Sequence, residues 1–515
     1  LSSAQIQALG TSGITALKTN QIQALDTADV TNLTSAQVGA LTTEQISVIS
    51  SAVLSSLSTN AMLGLNSSDI AAFDSSQIKS LTSSQIAALT SSQIVGLETA
   101  DMGALTSAQV KALSATTVGQ LSSSQIKTLT SAQLQALTSA QIQALGTSSI
   151  NELTTAQIST LSSSNIASLS SAQISNLSST LFGNLSSSQI SSISTAALSS
   201  LTSDKLQAFG TTGASALSAS QISALGTSGI TNLSGSQLGA LSTSAINTLS
   251  TAQIAALGTT NISNFSSTQL RALSSSAINT LSSAQIAQLD TKMATLTSSQ
   301  IGALATAVIK ELSSAQIQAL GTSGITALKT NQIQALDTLD VANLTSSQVG
   351  ALSSAQIAAL TSSQIAGLET ADMGALSSTQ IKALGTATIG TLSSSQIQTL
   401  TSAQLQALTS AQIQALGTTG INQLTTTQIS TLSSGNIASL SSAQIVNLDA
   451  TLFNKLTSAQ IGSISTVALS SLSSDQLQAF GTTGASALSA SQISALGTSG
   501  ITTVSYTHLT LPTKA

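Results

Sequence analysis

The 515-residue chain has no cysteine, one proline, one tyrosine and one histidine, and only 6% of its residues are charged. Each scarcity excludes a class of chemistry. Without cysteine there are no disulfides, no thiolate metal ligands and no thiol nucleophile. The single histidine, His508, leaves no constellation in which a serine is activated by an imidazole. Twelve basic residues stand against 17 acidic ones, for a net charge of −5. No basic patch is present to neutralise phosphates, so nucleic acid is not an expected partner. No run of eighteen apolar residues occurs, so no transmembrane helix is expected. Yet 41% of the residues are hydrophobic, and a chain this apolar and this weakly charged is expected to bury its Leu and Ile.

What is present is a period. A large apolar residue recurs at every eighth position, from Leu1, Leu9, Leu17 and Leu25 through Phe73 to Leu289. One residue is lost between Leu289 and Leu296, and the new phase continues to Leu496. The chain reads as about sixty copies of an octapeptide close to Leu-(Thr/Ser)-Ser-Ala-Gln-Ile-x-Ala. A fixed repeat overrides the several domains that this length would otherwise suggest, because arrays grow in one dimension. Residues 1–40 recur as 312–351, and 81–231 recur as 352–502. The two shifts differ by five whole octads, as expected when each repeat contacts only its neighbours. The repeat region is residues 1–503.

Numbered from the Leu, an octad has large apolar residues at positions 1 and 6. A continuous helix would carry that stripe around its surface, since eight residues at about 100° each do not close a whole number of turns. A short helix restarted in each octad fits. Position 2 is mostly Thr, Ser or Asp and position 5 mostly Gln, as in Thr34-Ser35-Ala36-Gln37 and Thr82-Ser83-Ser84-Gln85. This is a capping box. Positions 3 to 8 and the next Leu then form the helix, with Ile86 and Leu89 on one face.

Charge placement supports the phase independently. Acids cluster at positions 2, 4 and 5 (Asp26, Asp29, Glu44, Asp69, Asp101), and six basic residues, among them Lys79, Lys111 and Lys382, share position 7. Both suit the helix dipole. Glu152, Glu311, Lys18 and Lys329 are exceptions. Gly10, Gly146, Gly226, Gly321 and Gly497, at position 2, fall where a helix C′ residue sits. All six Phe, and Met62, Met102 and Met373, occupy positions 1 or 6 and are expected in the core. The fold expected is an all-α solenoid with one capped helix per octad. The alternative is a β-solenoid, since Ile and Thr favour strands and positions 6 and 8 alternate correctly. A single octad is far too short to be a stable helix alone, so the array folds as a stack.

No catalytic, cofactor-binding or metal-binding residue is assigned, and the chain is not expected to be an enzyme. Asp26 with Asp29, and Glu98 with Asp101, are paired carboxylates that read more simply as helix caps. Gly10 and Gly13 lack the Gly-Lys-Ser/Thr of a phosphate loop. Asn32-Leu33-Thr34 is one of several glycosylation-type triplets that a Ser/Thr-rich chain contains by chance. The Thr/Ser rows at positions 2 and 3 would suit ice binding only on a flat β-solenoid.

The octads resemble the Leu-Thr-x-x-Gln-(Ile/Val)-x-Ala-Leu tracts of very large bacterial surface and adhesin-like proteins. The resemblance covers residues 1–503. It implies export, an extracellular or cell-surface location, and a structural role as a non-catalytic stalk or spacer. The alternative is a solenoid binding module or adhesin segment that recognises a peptide, a glycan or a surface. No cofactor is expected, and no particular partner is assigned; other surface proteins and glycans are the candidates. The chain starts in mid-repeat at Leu1 and is read as part of a longer protein. Residues 504–515 break the octad and hold His508, Tyr506 and Pro512. The stretch VSYTHLTLPTK there resembles a translated sequencing-library adapter, so residues 504–515 are expected to be non-native.

Overall fold

A computed structural model describes residues 2–509. It shows how one octad becomes one helix. Thr82 sits extended at φ −70°, ψ 156°, and its hydroxyl accepts from the Gln85 N–H at 3.2 Å. The Gln85 Oε1 reaches back to the Thr82 N–H at 2.8 Å. The helix Ser83–Ala88 follows, and Leu89 ends it at φ −61°, ψ 132°. The capping box is thus present in both directions. It recurs in the same form from Thr34 and Gln37 to Ser489 and Gln492. Among the described residues there are 62 α-helices, one 3-10 helix and no strand. The fold is an all-α repeat solenoid, and the β-solenoid alternative is set aside.

Position 1 departs from expectation. The Leu that closes an octad is typically extended, not helical. The reason is geometric. The next cap must start from β-region dihedrals, so the chain changes direction at each Leu, while the Leu N–H still bonds the position-6 carbonyl (Leu89 to Ile86, 3.2 Å).

The chain divides into two compact units, Leu1–Leu273 and Ser274–Ala515. Within each, a helix stacks on the helix three octads away. Ser83–Ala88 lies against Thr59–Met62 on one side and Ser107–Ala112 on the other. One turn of the solenoid therefore takes between three and four octads, a number that the repeat itself does not reveal. Positions 6 and 1 fill the interior: Ile86 is 0% exposed and Leu89 3%. Met62, Met102 and Met373 are fully buried, as expected. Phe182 meets Phe209 across a turn with ring centroids 5.0 Å apart, and Phe453 meets Phe480 at 5.6 Å in the duplicated block.

Two departures from the consensus have local causes. Gly10, Gly226, Gly321 and Gly497 take φ of 61–65°, the left-handed conformation expected at C′. Gly146 does not. It is an ordinary N-cap at φ −66°. The distinction lies three residues on, at position 5. All seven left-handed glycines among the described residues precede a second glycine there, such as Gly13 or Gly229, whereas Gly146 precedes Ser149. A Cβ at Gly229 would lie 2.8 Å from the Leu225 Cβ. The second glycine lets its helix start fold directly over the preceding Leu, and its N–H bonds the Leu225 carbonyl at 3.0 Å. The other departure is the lost residue after Leu289. The shortened unit forms the 3-10 helix Asp290–Thr295, and Asp290 adopts φ 45°. A 3-10 helix rises more per residue than an α-helix, so fewer residues complete the step.

Candidate functional site

The feature that recurs most regularly is the side chain at position 5. Gln85 is 2% exposed. Its Oε1 serves its own cap, and its Nε2 donates to the carbonyls of Leu54 at 2.9 Å and Leu57 at 2.8 Å. Those carbonyls belong to the helix end one solenoid turn earlier. Gln93 does the same to Met62 and Leu65, Gln125 to Ile94 and Leu97, and Gln404 to Met373 and Leu376. A helix C-terminus leaves carbonyls without intrahelical donors. Here a buried amide from the next turn supplies them, and each such Gln uses its acceptor and both N–H groups. The capping half of this role was legible in the sequence. The cross-turn half was not, because it depends on the number of octads per turn.

An outer ladder runs in the opposite direction. Polar side chains at position 7 donate to position-8 carbonyls 25 residues ahead: Gln135 to Thr160 at 2.8 Å, Asn151 to Asn176 at 2.6 Å and Gln318 to Asn343 at 2.7 Å. Lys127 and Glu152 have the same spacing and form an ion pair of 2.7 Å. This accounts for Glu152, an exception to the charge pattern. Lys18 and Lys329, exceptions at position 2, keep half of a capping box: their backbone N–H groups bond Gln21 and Gln332 at 2.9 and 2.7 Å.

The paired carboxylates resolve differently. Asp26 and Asp29 form a capping box, with bonds of 3.0 Å in each direction. Glu98 makes no side-chain cap, and Asp101 instead accepts from the Ser75 hydroxyl of the preceding turn at 2.9 Å. Asp69, Asp101 and Asp340 stand at position 5, where most octads carry Gln, and each is nearly fully buried. Desolvation raises the pKa of all three, Asp340 to about 6. An ionised carboxylate has no N–H for the preceding turn, so these positions interrupt the ladder. Asp449, an exposed cap, is lowered by its hydrogen bonds to Thr451.

Gly10 and Gly13 form a turn and its helix start, not a phosphate cradle. Asn32 is exposed, beside a capping Thr34. The Thr and Ser of position 2 are spent largely on helix caps, and the flat strand surface that ice binding would need is absent among the described residues. The helix Gly497–Leu509 carries the backbone beyond the last octad. The side chains of Tyr506 and His508 and all of residues 510–515, including Pro512, lie outside the described residues. Among the described residues, no group of three or more His, Asp or Glu could hold a metal ion, and no helix is long and apolar enough to cross a membrane.

Shallow, open grooves of mixed polarity recur at the same repeat positions, two of them at equivalent places in the duplicated blocks. One, of about 530 Å³, is lined by Ser107, Lys111, Gln135, Ser139 and Asn165 among others. Its counterpart, of about 510 Å³, is lined by Ser378, Lys382, Gln406 and Thr409 among others.

An octad-periodic helix stack, joined turn to turn by buried side-chain amides, defines an all-α repeat protein. The chain belongs to the ALTTAQ repeat family. That repeat matches residues 22–59, 62–97, 94–131, 118–147, 230–267, 333–368, 365–402 and 399–434, just over half of the chain. No curated protein matches it.

Proposed function

We propose that the chain is a non-catalytic stalk or spacer of a large exported bacterial surface protein. The observation that carries this reading is the cross-turn glutamine ladder, which recurs in both units with the same partners at the same separations. A ladder of this kind makes each turn the template for the next. Length can then change by whole octads without redesign of any interface, and the duplicated blocks of different offset are what such growth produces. Family membership supports a structural repeat role. The surface location rests on the resemblance of the octads to adhesin-like tracts. Residues 504–515 are read as non-native because the octad stops there.

The experiment is a length series. Chains with added or removed whole solenoid turns should keep the same helix content per residue, and their radius of gyration should rise steadily with octad number. A radius that does not grow with octad number would overturn the spacer reading. Protease shaving of intact source cells tests location separately: release of octad peptides supports export, and full protection contradicts it.

A further inference from the structure

We infer that the solenoid carries two built-in opening points, at residues 49–72 and 193–216, where adjacent turns part before any others in Leu1–Leu273. Each is a run of three consecutive octads, close to one full turn, without a single position-5 Gln. Val53, Ala61 and Asp69 hold that position in the first run, and Ala197, Lys205 and Gly213 in the second. Elsewhere in the repeat region, any three consecutive octads include at least one Gln there. The carbonyls that such a Gln would serve are left over. Leu25, Leu33 and Leu41 before the first run, and Leu169, Leu177 and Leu185 before the second, accept no hydrogen bond from a described residue. Leu169, Leu177 and Leu185 are 0–7% exposed, so their carbonyls lack donors in a buried setting, where that is costly.

Little else bridges these two places. Among the described residues, no side-chain hydrogen bond joins residues 17–48 to 49–72. One joins residues 169–192 to 193–216, from the Ser187 hydroxyl to the Thr212 carbonyl at 3.5 Å, longer than an effective O–H···O bond. Local support is thinner as well: the helices Thr195–Leu198, Ser203–Ala208 and Gly210–Ala216 carry no capping box. Apolar packing is not what differs, since Phe182 and Phe209 meet across the second point as Phe453 and Phe480 do in the duplicated block. The duplicate supplies the comparison. Where residues 193–216 have Lys205, residues 464–487 have Gln476, whose amide donates to the Val446 carbonyl at 2.9 Å and whose helix regains its box. The duplicated block therefore keeps a rung that its counterpart lacks. A lone octad cannot stay helical, so an array opens by groups of turns that hold together. The two points lie eighteen octads apart, and each turn between them is joined to its neighbour by at least one rung. That stretch separates as one block, not octad by octad. The inference does not depend on where the chain resides.

Native-state hydrogen exchange of the full chain tests it, read as protection relative to the intrinsic rate of each peptide. Residues 25–72 and 169–216 should each be at least about tenfold less protected than residues 97–144, whose second turn carries Gln125, Gln133 and Gln141. Lys205→Gln adds the rung that the duplicate already has. It should raise the protection of residues 169–216 about fivefold, the value of one net hydrogen bond. Lys205→Met removes the charge without adding a donor and should leave that protection unchanged. Protection of either stretch equal to that of residues 97–144, no gain with Lys205→Gln, or an equal gain with Lys205→Met would overturn the inference.

Discussion

Replacing Gln85 by Leu removes three hydrogen bonds from a buried position without removing bulk. The Thr82 N–H loses its acceptor at 2.8 Å, and the Leu54 and Leu57 carbonyls lose donors at 2.9 and 2.8 Å. Each buried polar group left without a partner costs about 1–3 kcal/mol. Leu54 keeps its bond from the Leu57 N–H at 3.3 Å, so two groups bear most of the penalty. The local cost is then about 2–6 kcal/mol. A long repeat array need not unfold as one unit, so a global midpoint would blur this effect. Native-state hydrogen exchange reads it locally. Peptides covering residues 49–89 should exchange about thirtyfold faster or more in the Gln85→Leu chain, because each 1.4 kcal/mol is a factor of ten. Peptides from the other unit should not change. Gln318→Ala is the control. It removes a similar amide bond, to Asn343 at 2.7 Å, but an exposed one, and it should change exchange severalfold at most. Equal effects of the two substitutions would refute the claim that burial of the inner ladder holds adjacent turns together.

Gly64→Ala and Gly96→Ala place a Cβ 1.9 Å from the Ser35 carbonyl oxygen and 2.1 Å from that of Ser67. Both should destabilise their turns by at least about 2 kcal/mol, seen as local loss of exchange protection. Gly146→Ala meets nothing within 4 Å at φ −66°, and its stiffer unfolded chain is offset by the poorer N-cap preference of alanine, so stability should change by less than about 1 kcal/mol. Asp340 has a folded pKa of about 6 against an ordinary 3.8, so folding favours its protonated form. Its contribution is fully present below the ordinary value and is lost as pH rises through about 6. Thermal melts between pH 4 and 8 should show this loss, and Asp340→Asn should flatten it and raise stability near pH 8. Glu152→Gln removes an ion pair whose side chains are 36–52% exposed. The change in exchange-derived stability should stay below about 0.5 kcal/mol and vanish in high salt.

The phase, the caps and the buried positions were legible because each is local to one octad. Thr82 and Gln85 announce their box in four consecutive residues, and Ile86 and Leu89 mark the inner face. The lost residue after Leu289 was equally plain, although the left-handed Asp290 that accommodates it was not. What stayed hidden depends on neighbours distant in sequence. The second half of each Gln contributes to a helix end 28 to 31 residues away, and Glu152 meets a lysine 25 residues back. Neither can be placed until the octads per turn are known. Gly146 was misplaced because position 2 alone does not choose the turn; the residue at position 5 does.

Engineered cysteine pairs test the stacking register most directly, since the chain has no cysteine of its own. The Ser410 and Ser439 hydroxyls lie 2.8 Å apart across one turn. Ser410→Cys with Ser439→Cys should form a disulfide rapidly under mild oxidation in the folded chain. Ser410→Cys with Asn447→Cys, one octad further on, should not. That result would establish a turn of between three and four octads. Equal cross-linking of both pairs, or of neither, would contradict the stacked solenoid.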